Sequence, residues 1–226
     1  MRNYRNQIIL SFILLFVMLP NNTEAKNDGY EIVSKLSSES ITLYAKKFGS
    51  LYRDFKIDFK GETYFRPFWM NDTNPAYAPQ IYYEDINKDE KNELIITLTK
   101  GYGTGVLDEE VYVYSYSNGL IDVLIDNPMA IINKNVKTKL SDERAEVIID
   151  GKKCSVDITP LEIKPENLFD DIGFGSIINY NVEDNHLVVS VSGQISPASF
   201  VGRIVIVYEF RDKMYQAKLI EFIPCK

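Results

Sequence analysis

Glu110-Val-Tyr-Val-Tyr-Ser-Tyr-Ser-Asn-Gly-Leu-Ile-Asp-Val-Leu-Ile125 is the stretch that decides how this chain folds. Two runs of alternating side chains flank Asn118-Gly119. Asn-Gly between such runs is the strongest short-range hairpin signal, because both residues tolerate the left-handed backbone of a two-residue turn. Asp150-Gly151 repeats the device between Ala145 to Ile149 and Lys153 to Ile158. Further hairpins are predicted around Glu183-Asp184-Asn185 and Arg211-Asp212-Lys213. Earlier in the chain, Phe55, Ile57 and Phe59 alternate with polar residues, Gly61 turns the chain, and Thr63 to Phe68 returns until Pro67 interrupts its hydrogen bonding.

One helix is predicted ahead of these strands. Ser37 and Ser38 offer an N-cap, Ile41, Tyr44, Ala45, Phe48 and Leu51 recur at helical spacing, and Gly49 ends the run. The expected class is therefore mainly β to α+β, with antiparallel hairpins forming one or two packed sheets and one N-terminal helix on a sheet face. Residues 26–226 are expected to form a single β-rich domain, with a sub-boundary near 159–171 where Pro160, Pro165, Asn167, Asp170 and Asp171 cluster.

The first 25 residues read as a signal peptide. Arg2 and Arg5 precede the apolar run Ile8 to Leu19, which is short for a membrane span, and Thr23-Glu24-Ala25 supplies a cleavage region. Export to a secreted or cell-wall-associated location follows, with no membrane span in the mature protein. The whole chain carries a formal charge of -7, and loss of Arg2, Arg5 and Glu24 makes it -8. That sign excludes nucleic acid as the natural partner, since phosphate binding needs concentrated Lys and Arg. With only two cysteines and an oxidising compartment, Cys154 and Cys225 are expected to form a disulfide.

Asp85-Ile-Asn-Lys-Asp-Glu-Lys-Asn-Glu93 runs straight into the apolar strand Leu94 to Leu98. Asp85, Asn87, Asp89 and Glu93 place side-chain oxygens at positions one, three, five and nine, and Lys91 can add a backbone carbonyl at seven, the pattern by which a short loop wraps calcium. Glu90 stands at position six where such loops carry Gly, and Lys88 and Lys91 offset negative charge, so any bound calcium is expected to be weak. The segment resembles the calcium-loop repeat of the FG-GAP or VCBS type, shared by integrin-like propeller blades and bacterial adhesion proteins. The likeness spans roughly one repeat, residues 81–116, with no second copy, which excludes a complete propeller. Residues 55–116, with Ala78 to Tyr83 and Thr97 to Gly105, also resemble small exported proteins of Gram-positive bacteria. That resemblance implies export and supplies no activity.

No catalytic motif stands out. Lys100-Gly-Tyr-Gly-Thr-Gly105 is glycine-rich but leads into a strand, whereas phosphate loops lead into a helix. His186 is the single histidine and sits beside a predicted turn. Tyr112, Tyr114 and Tyr116 share one strand face and, with Tyr102, form a candidate ligand surface; the bland reading is a packed layer covered by the predicted helix. The expected function is a non-catalytic binding or structural protein outside the cell, with an extracellular polymer or protein as partner and no cofactor beyond weak calcium. The alternative is an extracellular polymer hydrolase using a carboxylate pair drawn from Glu84, Asp85, Asp108, Glu109 and Glu110.

Overall fold

The computed structural model describes residues 28–225; the signal-peptide reading of residues 1–25 lies outside them. In chain order the strands are β1 Tyr30–Leu36, β2 Ile41–Phe48, β3 Leu51–Phe59, β4 Glu62–Asp72, β5 Gln80–Glu84, β6 Glu93–Gly103, β7 Val106–Tyr116 and β8 Leu120–Ile125. A helix α1, Pro128–Asn135, follows, then β9 Val136–Leu140, β10 Arg144–Ile149, β11 Lys152–Asp157, β12 Gly173–Glu183, β13 His186–Ser196, β14 Ser199–Arg211 and β15 Met214–Pro224.

Turn chemistry builds the hairpins. Asn118 and Gly119, in the three-residue connection Ser117–Gly119 that follows the Tyr116–Leu120 pair, and Asp150 and Gly151, in the two-residue turn between β10 and β11, all have positive φ, the backbone that lets a tight hairpin connection match strand twist. Asp184-Asn185 and Asp212-Lys213 do the same for β12–β13 and β14–β15.

The assembly of these hairpins departs from expectation in three ways. First, Ile41–Phe48 is a strand, where a helix is predicted. Ile41, Leu43 and Ala45 are fully buried at period two, and the helical stripe had passed over Leu43. The same apolar residues satisfy both periods, and packing between two neighbouring strands selects the extended one. Second, there are three sheets: β1-β2-β3-β4, β9-β10-β11, and an eight-stranded sheet ordered β12-β13-β14-β15-β8-β7-β6-β5. Third, the large sheet is mixed. β15 runs parallel to β8, and β12 parallel to β7, the latter after a long crossover carrying α1 and β9–β11. The second parallel contact closes β7, β8, β15, β14, β13 and β12 into a ring. The only α-helix among the described residues, α1, starts at Asn127-Pro128: the Asn127 Oδ1 accepts from the N–H groups of Met129 and Ala130.

Strand β6 explains how the layers hold together. Leu94, Ile96 and Leu98 pack toward β1–β4 with Ile41, Leu43, Phe55, Ile57, Phe59 and Trp69. Ile95 points the other way, into a ring-side core cluster with Val113, Val147, Val189, Ile204 and Tyr208. A strand buried on both faces is a continuous apolar run, as Leu94 to Leu98 is apart from Thr97. Pro67 is accommodated because β4 is the edge of its sheet, where a bulge also turns Phe68 outward, 92 % exposed. The residues around 159–171 do not separate two cores: Ile158, Ile163, Leu168 and Ile172 all pack into the ring-side cluster.

Candidate functional site

The Asp85–Glu93 turn is held by its own side chains. Asp85 Oδ1 accepts from the N–H groups of Lys88 at 2.7 Å and Asp89 at 3.1 Å, and its Oδ2 accepts from Glu90 N–H at 3.0 Å. Asn87 Oδ1 takes the Asp89 N–H and Asp89 Oδ1 the Lys91 N–H. Lys88 and Glu90 both occupy the left-handed region, φ 66° and 65°. The chain therefore makes the sharp turn at position six with Glu90 in place of glycine.

Glu93 is 2 % exposed and closes the turn from below. Its Oε2 accepts from the N–H groups of Ile86 and Asn87, and its Oε1 from the Asn87 side-chain amide at 2.8 Å. Burial pushes its pKa up to about 7, the bonds from Ile86 and Asn87 pull it down, and the nearby Asp89 and Asp85 charges add to the rise. The Ile86 side chain joins the ring-side core. Opposite it, the buried Tyr215 hydroxyl faces Glu93 without closing a hydrogen bond of normal geometry, and burial together with Glu93, Asp85 and Asp89 raises its pKa. Among the described residues no group of three or more His, Cys, Asp or Glu side chains is placed to hold a metal ion. Asp85, Asn87, Asp89 and Glu93 each give at least one side-chain oxygen to an N–H group of the turn.

A second locus lies on the arm of the β6–β7 hairpin. Tyr102 stacks on Tyr77 with centroids 4.1 Å apart and planes 24° apart, and its hydroxyl accepts from the Asn74 amide at 2.9 Å. Asn74 in turn caps the single helical turn Pro75–Tyr77 by accepting from Ala76 N–H. Tyr102 nonetheless stays 42 % exposed. Gly101 and Gly103 flank it. Neither has a positive φ, and a Cβ built on either meets nothing within 4 Å.

Tyr112, Tyr114 and Tyr116 do share one face of β7, and that face is covered by β1–β4, in place of the helix expected there. Tyr114 is buried, with its hydroxyl accepting from Arg66 Nε. Tyr112 lies 4.3 Å from Trp69, and Tyr116 meets Phe59 edge-on under the Lys60 ammonium. Of the four candidate tyrosines, only Tyr102 is exposed; Tyr112 and Tyr116 are half-buried and Tyr114 is buried.

The carboxylates separate into different settings. Lys100 bridges Asp108 at 3.4 Å and Glu110 at 2.8 Å. Burial pushes the Glu110 pKa up, but Lys100 and the Tyr112 hydroxyl outweigh it and hold the carboxyl below its ordinary value. Glu109, the next residue, points to the opposite face as strand geometry requires, and accepts from Tyr180 N–H and the Asn179 amide; burial raises its pKa. A raised and a lowered carboxyl on opposite faces of one strand do not flank a single scissile bond. Cys154, half-buried on β11, and Cys225, exposed beyond β15, are not bonded to each other. The bridge expected from the cysteine count is thus absent; the Cys225 N–H is tied instead to the Val201 carbonyl at 3.0 Å.

Sequence reasoning missed Asn74 and, although Tyr77 is one of the tyrosines near the glycine loop, left it out of the candidate ligand surface. Asn74-Pro75 was readable as a cap followed by Pro at the first helical position, but their approach to Tyr102 needs the β4–β5 connection laid against the hairpin arm. No helix among the described residues is long and apolar enough to cross a membrane. No family model, no curated protein and no solved structure matches this chain.

Proposed function

We propose that this chain is an exported, non-catalytic binding protein that holds an extracellular polymer against the Tyr77–Tyr102 stack, with the Asp85–Glu93 turn as a structural element. The observation carrying this reading is the pair of glycines around Tyr102. Glycine in a strand costs roughly 0.5–1 kcal/mol relative to alanine; neither Gly101 nor Gly103 has a positive φ or a crowded Cβ site, and only Gly101 adjoins the bulge at Lys100. Bare backbone beside a fixed, exposed ring suits close approach by a ligand face, and sugar rings stack on such aromatics. The Asn74 hydrogen bond and the Tyr77 stack fix Tyr102 before binding, which lowers the ordering cost of association.

The test compares Tyr102→Ala with the double variant G101A/G103A, using a purified insoluble cell-wall preparation in a sedimentation assay. Both variants are expected to lose at least about tenfold in retention, equivalent to 1.4 kcal/mol, while the glycine variant melts no lower than the parent. Parent-like retention by both variants, or no retention of the parent, overturns the reading.

A further inference from the structure

Three nitrogens from three separate elements converge beside the Asp85–Glu93 turn. The Lys88 ammonium, on that turn, and the Lys218 ammonium, on β15, each lie 3.3 Å from His186 Nε2, at the start of β13. His186 Nδ1 is 2.8 Å from the Asp184 carbonyl, which fixes the ring and assigns the proton to Nδ1 in the neutral form. Neither lysine ion-pairs with a carboxylate among the described residues: the salt bridges of the molecule lie elsewhere. Three acids close in sequence to Lys88 and His186 have other partners. Asp85 is taken up by three backbone N–H groups, Asp89 by Lys91 N–H, and Glu183 accepts from the Asn181 amide. Asp184 contributes its backbone carbonyl.

Two like charges sharing one neutral acceptor in an acidic protein are an unfavourable arrangement that an anion relieves. We propose that Lys88, His186 and Lys218 form a binding site for a phosphate-type oxyanion. Such a group offers several acceptor oxygens on a tetrahedral centre, enough to take one N–H from each ammonium and one from Nε2 once the imidazole is protonated. Half-burial of His186 against the turn supplies a fixed floor, while both ammonium groups reach it from solvent. This site is independent of the tyrosine stack.

His186 is the sole histidine of the chain, so its imidazole C–H resonances report on the site alone. The experiment is an NMR pH titration of the full mature protein in sodium chloride, in inorganic phosphate, and in a glycerol phosphodiester, all at one ionic strength. Phosphate is expected to raise the His186 midpoint by about 0.5 unit or more over chloride, because an anion bound to the protonated ring favours that form. A rise with phosphate alone restricts the ligand class to a phosphate group with non-esterified oxygens beyond a diester's two, and an equal rise with the diester extends it to polymer backbones. Lys88→Met and Lys218→Met should each cut the phosphate-dependent rise by at least half. Equal midpoints of the parent protein in chloride, phosphate and diester overturn the proposal, whatever the variants do.

Discussion

Glu109 joins β12 to β7: its carboxylate accepts the Tyr180 backbone N–H at 2.8 Å immediately past the point where the two-pair parallel ladder Ile177–Leu107 and Ile178–Asp108 stops. It also takes the Asn179 side-chain amide at 3.1 Å. A side chain thus continues the work of the ladder across residues 109–112, the stretch of β7 between its pairings with β12 and β8.

Replacing Glu109 by Ala leaves those donors without their acceptor at a partly buried seam. The expected loss is about 1–3 kcal/mol in a urea melt. Glu109→Gln keeps a carbonyl oxygen for the Tyr180 N–H and should lose less than half as much. Equal stability of E109A and the parent would show that the ring closes without this bond.

Glu93 predicts a pH dependence with a definite sign. Its folded-state pKa of about 7 lies above its ordinary 4.5, so the folded protein binds more protons between those values. Its contribution is therefore favourable at and below pH 4.5 and is lost as pH rises through about 7, by up to about 3 kcal/mol at 1.36 kcal/mol per pKa unit. Glu109, also raised, adds to the same trend. Urea midpoints of the parent and Glu93→Gln from pH 4.5 to 8 should differ by a term that changes across this window. A constant difference refutes it.

Glu90 holds a left-handed conformation at φ 65° that costs a residue with a Cβ about 1 kcal/mol. Glu90→Gly is expected to stabilise the protein by up to about 1 kcal/mol, part of the relief being offset by the greater freedom of glycine in the unfolded chain. Since Glu90 stands at position six and Lys88 and Lys91 offset the charge of the loop, calcium binding is expected to be weak, and 1 mM calcium should move the parent's melting temperature by less than about 2 °C relative to chelator. A larger shift would mean that the turn rearranges to bind the ion.

Gly202 contrasts with Gly101. A Cβ at Gly202 falls on the Ile223 carbonyl and the Phe222 ring, whereas one at Gly101 meets open space. Gly202→Ala should therefore cost at least about 2 kcal/mol through displacement of β15 from β14, while Gly101→Ala should be neutral or stabilising. Thermal melts of the two single variants decide this.

What the sequence determined by itself was local. Asn118-Gly119, Asp150-Gly151, Asp184-Asn185 and Asp212-Lys213 fix turns through their tolerance of positive φ, and the Asp85–Glu93 spacing sets a turn whose oxygens reach nearby N–H groups. Tertiary structure decided everything that depends on what lies across a layer. Ile41 to Phe48 fits either period, and only packing against β6 and β3 makes it a strand. The tyrosine face of β7 is covered because β1–β4 needs an apolar partner, leaving Tyr102 out on the hairpin arm. Ring closure through β12 and β7 joins residues some seventy apart in the chain, and the meeting of Lys88, His186 and Lys218 spans still more. Side-chain periodicity carries no information about such distant pairings, because it records which face of an element is buried and not what buries it.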